Sequence, residues 1–154
     1  MQKTDVLIAG GGFAGLACAK ALAERGVSVT LLERKKAPGV GMHTTGIIVK
    51  ECADEFALPA SVIRKVTDVR LYAPNLRYSH LTSPDYFFLT TDTPALMRHL
   101  SDEAVKAGAV IIYDTPYERA EAAGGEYAIN GAFACRFLIG ADGPRSRVAE
   151  QFGL

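Results

Sequence analysis

Gly10, Gly12 and Gly15 form a G-x-G-x-x-G run, and Glu33 follows 23 positions after Gly10. In such a run the first glycine permits a tight turn, the second lets backbone approach a pyrophosphate, and the third lets a helix pack on a strand. Phe13 and Ala14 stand between the second and third glycines, where the free N–H groups and positive dipole end of a helix face phosphate. A carboxylate roughly 20 residues further on meets ribose hydroxyls. The chemistry that suits this pattern is the holding of a dinucleotide. Glu33 also opposes an adenosine 2′-phosphate, because two anions would meet there, which favours FAD or NAD over NADP.

The elements that must position these residues read directly from the chain. Asp5 to Ala9 is a short apolar run suited to a buried parallel strand. A helix follows from Phe13 to Arg25, and Gly26 stops it in the left-handed conformation. Val27 to Leu32 is a second strand, delivering Glu33 at its end.

Asp142-Gly143 is the second informative pair. It comes directly after the apolar run Phe137 to Gly140, at the carboxyl edge of a parallel sheet, where such folds bind ligands. Asp142 is able to accept from ribose or ribityl hydroxyls, and Gly143 to let backbone come close. A polar turn capping the last helix, with Ser146 as its cap, accounts for the same residues equally well.

Between the two motifs, a polar loop from Arg34 to Gly41 leads to Thr45–Phe56, which reads as a short amphipathic helix. Asp68–Ala73, Leu76–Ser79 and Tyr86–Thr90 read as short strands. Pro94 opens a helix that Gly108 ends, and Ala109–Tyr113 is a parallel-type strand. Tyr117–Ala123, Glu126–Ile129 and Ala132–Cys135 form an antiparallel meander with turns at Gly124-Gly125 and Asn130-Gly131. The fold expected is a three-layer, Rossmann-like α/β fold with a parallel sheet and an added antiparallel β-meander.

The 154 residues suffice for one domain, and 17 basic against 17 acidic residues give no nucleic-acid-binding balance. No apolar run reaches the ~20 residues that cross a bilayer, and Met1–Asp5 leads straight into a strand without a signal peptide, so a cytoplasmic protein is expected. Cys18, Cys52 and Cys135 form no C-x-x-C and read as buried free thiols. His43, His80 and His99 are scattered, and no metal site is expected. No nucleophile–base or paired-carboxylate arrangement appears, so no residue is assigned a catalytic role.

Val6-Leu-Ile-Ala-Gly-Gly-Gly-Phe-Ala-Gly-Leu16, Leu31-Leu-Glu-Arg34 and Leu138-Ile-Gly-Ala-Asp-Gly-Pro-Arg-Ser-Arg-Val148 together resemble the flavoprotein monooxygenase and geranylgeranyl reductase group. The resemblance covers nearly the whole chain and implies a p-hydroxybenzoate-hydroxylase-like FAD fold, with residues 1–154 as one FAD/NAD(P)-binding domain and a small excursion at 66–91. It implies that Gly10, Gly12 and Gly15 face the FAD pyrophosphate and Glu33 the adenosine ribose. It sets Arg34 beside the adenine end and matches Asp142 and Gly143 to the Asp-Gly motif, which serves FAD and in some members NAD(P)H. The loop Gly41-Met-His-Thr-Thr-Gly46 is similar to the one that runs toward the flavin, which places His43 and Thr44 near it; read alone, His43 is equally a loop histidine bonded to backbone. The Gly-x-His-x-x-Gly-Ile-Ile order looks more like the reductase and FixC-like dehydrogenase branch than the aromatic hydroxylases.

Two departures from the group's pattern stand out. Thr91-Asp92-Thr93-Pro94 occupies the place where the group often carries an Arg or Gln directed at the pyrophosphate. Members also normally run much longer, so the chain is expected to be either an excised N-terminal domain or a stand-alone remnant, in both cases without a complete active site. The function expected is the FAD-binding portion of a flavin-dependent oxidoreductase acting on a small-molecule substrate, with NAD(P)H as a reductant the resemblance would bring. A non-catalytic dinucleotide-binding module and an NAD-dependent dehydrogenase fragment are the alternatives. An uncovered sheet edge is expected to favour self-association.

Overall fold

The computed structural model describes residues 1–154, the side chain of Ala123 excepted. The chain begins with β1 (Gln2–Ala9), α1 (Phe13–Ala23), β2 (Val29–Leu32), β3 (Ile47–Val49) and α2 (Lys50–Glu55). After a 3-10 turn at Ala60–Val62 come β4 (Ile63–Val66), β5 (Asp68–Tyr72), β6 (Tyr78–Thr82) and β7 (Phe88–Thr91). The remainder is α3 (Thr93–Lys106), β8 (Val110–Ile112), β9 (Ala120–Ala123), β10 (Glu126–Ile129), β11 (Phe133–Gly140) and α4 (Arg147–Phe152). These elements fall into two compact units, Met1–Val40 with Met97–Leu154, and Gly41–Leu96.

The first unit is built on a six-stranded sheet of order β8-β2-β1-β11-β10-β9. Its inner pairings are parallel: Val6 to Ala9 lie beside Val29 to Leu32, and Gln2 to Ala9 beside Phe133 to Gly140. β8 continues the parallel set next to β2, while β10 and β9 add an antiparallel flank. This is the mixed α/β, Rossmann-like arrangement that the sequence implies. Leu7 and Ala9 of β1 share a buried cluster with Leu32, Ile129, Cys135 and Val148 of α4. Strand alternation sends Ile8 to the opposite face, where it is fully buried as well. A strand covered on both faces must be apolar throughout, which is why β1 reads as a continuous Val-Leu-Ile-Ala run.

The third strand of the expected meander and the following parallel strand are one element. β11 pairs with β1 along its whole length, and its first three residues also pair antiparallel with β10, so no break falls between Cys135 and Phe137. The turns lie where the sequence puts them, with positive φ at Gly124 (+60°), Gly125 (+84°), Asn130 (+53°) and Gly131 (+67°). β9 starts at Ala120 instead of Tyr117 because the Asn130 side chain takes over the preceding backbone. Its Oδ1 accepts from Glu118 N (2.9 Å) and its Nδ2 donates to the Pro116 carbonyl (2.8 Å).

The second unit holds a three-stranded antiparallel sheet of order β3-β7-β4 and a β5-β6 hairpin. The helix expected over Thr45–Phe56 is shorter than its pattern suggested. Ile47, Ile48 and Val49 instead pair with Thr90, Leu89 and Phe88, as a β-branched run favours, and α2 begins only at Lys50. β4, which local pattern did not announce, pairs with the other edge of β7. Leu76 sits in the hairpin turn at φ +63°, which moves the start of β6 to Tyr78.

Asp92 caps α3 by accepting from Ala95 N at 3.1 Å, and Gly108 leaves the helix at φ +108°. Of the three cysteines only Cys135 is buried; Cys18 is half-buried and Cys52 is exposed, because α2 buries none of its residues. Among the described residues no helix is long and apolar enough to cross a membrane.

Candidate dinucleotide site

Ala9 of β1 stands between Leu32 of β2 and Gly140 of β11, so three parallel strands end side by side. The glycine turn, Glu33 and Asp142-Gly143 are the residues that leave those ends. Backbone hydrogen bonds tie the exits together: Gly10 N donates to Leu32 O (2.8 Å), and Ala141 N donates to Ala9 O (2.8 Å). The two motifs that lie far apart in sequence are therefore in contact.

Each glycine of the turn answers a different demand. Gly10 has φ +105°, and a Cβ there would meet the Ala141 carbonyl oxygen at 2.4 Å and Asp142 Cα at 2.8 Å. A Cβ at Gly15 would fall 1.9 Å from the Gly10 carbonyl oxygen. Gly12 differs: its φ of −77° and ψ of −174° suit any residue, and a Cβ would have nothing within 4 Å. Neither backbone conformation nor packing within the protein calls for glycine at position 12. Bare backbone at such a position is what lets phosphate oxygens reach the amides of a turn.

Gly12 precedes α1 without any side-chain cap, and the first helical bond runs from Leu16 N to Gly12 O (3.0 Å). The N–H groups of Phe13, Ala14 and Gly15 stand ahead of that bond at the positive end of an 11-residue helix, the arrangement that receives phosphate. Phe13 and Ala14 are exposed, whereas Gly15 is buried by its packing on the turn.

Glu33 is half-buried and fixed by backbone at both oxygens: Oε2 accepts from Gly11 N at 2.6 Å and Oε1 from Lys35 N at 2.8 Å. An ionised carboxylate offers about four acceptor positions, so two remain for a ribose diol. Tyr113, after β8, feels this charge: burial first and the Glu33 carboxylate next hold its phenol above the usual value, while its bond to Ser101 Oγ (2.8 Å) acts in the other sense. Arg34 is exposed.

Asp142 accepts from Ser146 Oγ (2.6 Å), Arg147 N (2.7 Å) and Val148 N (3.3 Å), and Ser146 Oγ in turn accepts from Ala149 N (2.9 Å). The helix-capping role thus rests on both residues together. Gly143 is exposed with φ +89°, a conformation that side chains resist.

His43 and Thr44 belong to the second unit and are both exposed; Thr44 Oγ1 accepts from Gly46 N at 3.3 Å. In the same unit Thr91 and Thr93 share a 2.8 Å hydroxyl contact, and Thr91 Oγ1 donates to Gly46 O at 3.2 Å. The Thr91-Asp92-Thr93 stretch thus holds the loop glycine at one end and caps α3 through Asp92. Gly11 is the site residue that motif reading passed over; its signal is the third consecutive glycine where the motif needs only two. Among the described residues no group of three His, Cys, Asp or Glu is placed to hold a metal.

An uncapped helix start, an open glycine face and a fixed carboxylate fit the pyrophosphate and ribose of a dinucleotide. Comparison with known proteins agrees. The chain matches the FAD binding domain family over residues 3–154. It is 31% identical to a chloroplastic geranylgeranyl diphosphate reductase of Nicotiana tabacum across 95% of this chain and 35% of that protein. It is 27% identical to an uncharacterized protein of the nifH2 5′ region of Methanosarcina barkeri, across 97% of this chain and 88% of that one. A geranylgeranyl bacteriochlorophyll reductase-like structure from Thermoplasma acidophilum superposes with a TM-score of 0.80 at 25% identity, covering 100% of this chain and 43% of that one. The chain therefore spans less than half the length of the two reductase-type proteins.

Proposed function

The chain belongs to the FAD binding domain family, and from that premise we propose that it is the FAD-binding portion of a flavin-dependent oxidoreductase whose ADP site is the carboxyl end of β1, β2 and β11. The observation that carries this reading is Gly12, a glycine that the protein's own conformation and packing do not require. In this reading the N–H groups of Phe13, Ala14 and Gly15 receive the pyrophosphate, and Glu33 accepts from the adenosine ribose. Arg34 flanks the adenine end. Asp142 caps α4 and thereby holds Gly143 open for the cofactor's approach. His43 and Thr44 are proposed to face the flavin end.

FAD, when bound, supplies the redox chemistry; the chain supplies binding, orientation and electrostatics. Its similarity to reductases of geranylgeranyl substrates supports reduction of an isoprenoid-like double bond as the activity of a complete enzyme, with NAD(P)H as the proposed reductant. Titration of the purified protein with FAD, NAD and NADP tests the cofactor assignment. FAD is expected to bind and to carry its visible absorption through gel filtration. Binding of NAD with no binding of FAD would reverse the assignment toward a dehydrogenase fragment.

A further inference from the structure

Resting on the reading that sets His43 and Thr44 at the flavin end, we propose that Thr91 and Thr93 are positioning residues for the loop that carries them. Thr91 Oγ1 donates to the Gly46 carbonyl at 3.2 Å, and Thr91 N donates to the same oxygen at 2.9 Å. A hydroxyl carries one proton, and Thr91 gives its own to Gly46. The 2.8 Å contact between the two hydroxyls is therefore Thr93 donating to Thr91. The result is a one-way relay from Thr93 through Thr91 to Gly46, and it starts at a residue only 7% exposed. Each bond in such a chain polarises the next, and burial of its source keeps water from competing for that proton.

Gly46 is the point where the loop becomes sheet, because Ile47 already pairs with Thr90. Its φ is +65° and that of Gly41 is +58°, so the segment is bounded at both ends by a conformation that side chains resist. Thr44 Oγ1 accepts from Gly46 N at 3.3 Å, so threonine hydroxyls take both backbone groups of Gly46. A Cβ at Gly46 would stand 2.7 Å from Thr93 Oγ1 and 3.1 Å from Thr91 Oγ1, so the relay fills the room a side chain would need. Asp92, between the two threonines, donates its N–H to Val62 O at 2.9 Å, which ties the relay's own backbone down. With Gly46 fixed, His43 and Thr44 leave it in one direction before any ligand arrives, and that lowers the cost of ordering on binding.

Calorimetric titration of FAD and of ADP into the wild type, Thr91→Val and Thr91→Ser tests this. Valine keeps the β-branched shape and removes the hydroxyl, whereas serine keeps the hydroxyl. Thr91→Val is expected to weaken FAD about tenfold, the scale of one hydrogen bond, and to leave ADP affinity unchanged; Thr91→Ser should restore FAD. ADP lacks the flavin end, so a general loss of structure would move both ligands together. Equal losses for both ligands, or an FAD affinity that Thr91→Val leaves unchanged, would overturn the proposal. Gly46→Ala keeps Thr91 and adds the Cβ for which there is no room, and it carries the same expectation should Thr91→Val not fold. A second measurement needs no cofactor: the amide resonances of Met42 to Thr45 should shift in Thr91→Val and return in Thr91→Ser. Unmoved resonances also overturn it. Failure of the wild type to bind FAD strikes the cofactor reading instead, and the resonances still decide whether the relay sets the loop.

Discussion

A side chain at Gly15 would place its Cβ 1.9 Å from the carbonyl oxygen of Gly10. The helix starts so close to the turn that only hydrogen fits between them. Gly15→Ala is therefore expected to destabilise the fold by about 1–3 kcal/mol through overpacking. Urea unfolding beside Gly12→Ala, where nothing lies within 4 Å, checks this: the Gly12 variant should unfold as the wild type does.

Asp142 holds Ser146 Oγ and two N–H groups at the start of α4, whose Val148 belongs to the core cluster. Asp142→Ala should cost about 0.5–2 kcal/mol, as loss of a helix cap does. Chemical denaturation gives the number, and an unchanged midpoint would mean that Ser146 caps the helix alone.

Burial pushes the Cys135 thiol above its usual value and keeps solvent away, while Cys52 is exposed on α2. Since the thiolate is the reacting form, iodoacetamide at neutral pH should label Cys52 first and Cys135 only after unfolding. Raising the pH should leave Cys135 protected as long as the protein stays folded. Mass mapping of the labelled peptides reads both.

The parallel core and its site were legible because their demands are local. Gly10, Gly15 and Glu33 stand at spacings fixed by one turn, one helix and one strand, and Asn130-Gly131 announces its own turn. The errors lie where pairing decides. β11 is one strand because β1 runs beside all of it, and Ile47–Val49 is a strand because β7 offers it an edge. Neither fact is written in the segment itself. Gly11 escaped for the same reason, since its partner Glu33 comes to it only through the fold. Cys52 was misjudged because the apolar stripe around it belongs to a helix too short to bury a face.

Bare backbone at Gly12 is the proposed seat of the FAD pyrophosphate. Titration of FAD into wild type and Gly12→Val, each first shown to be folded by circular dichroism, tests it most directly. The wild type should bind saturably, and the folded Gly12→Val variant should show no binding. A folded Gly12→Val protein that binds FAD as tightly as the wild type would mean that the pyrophosphate does not sit on this turn.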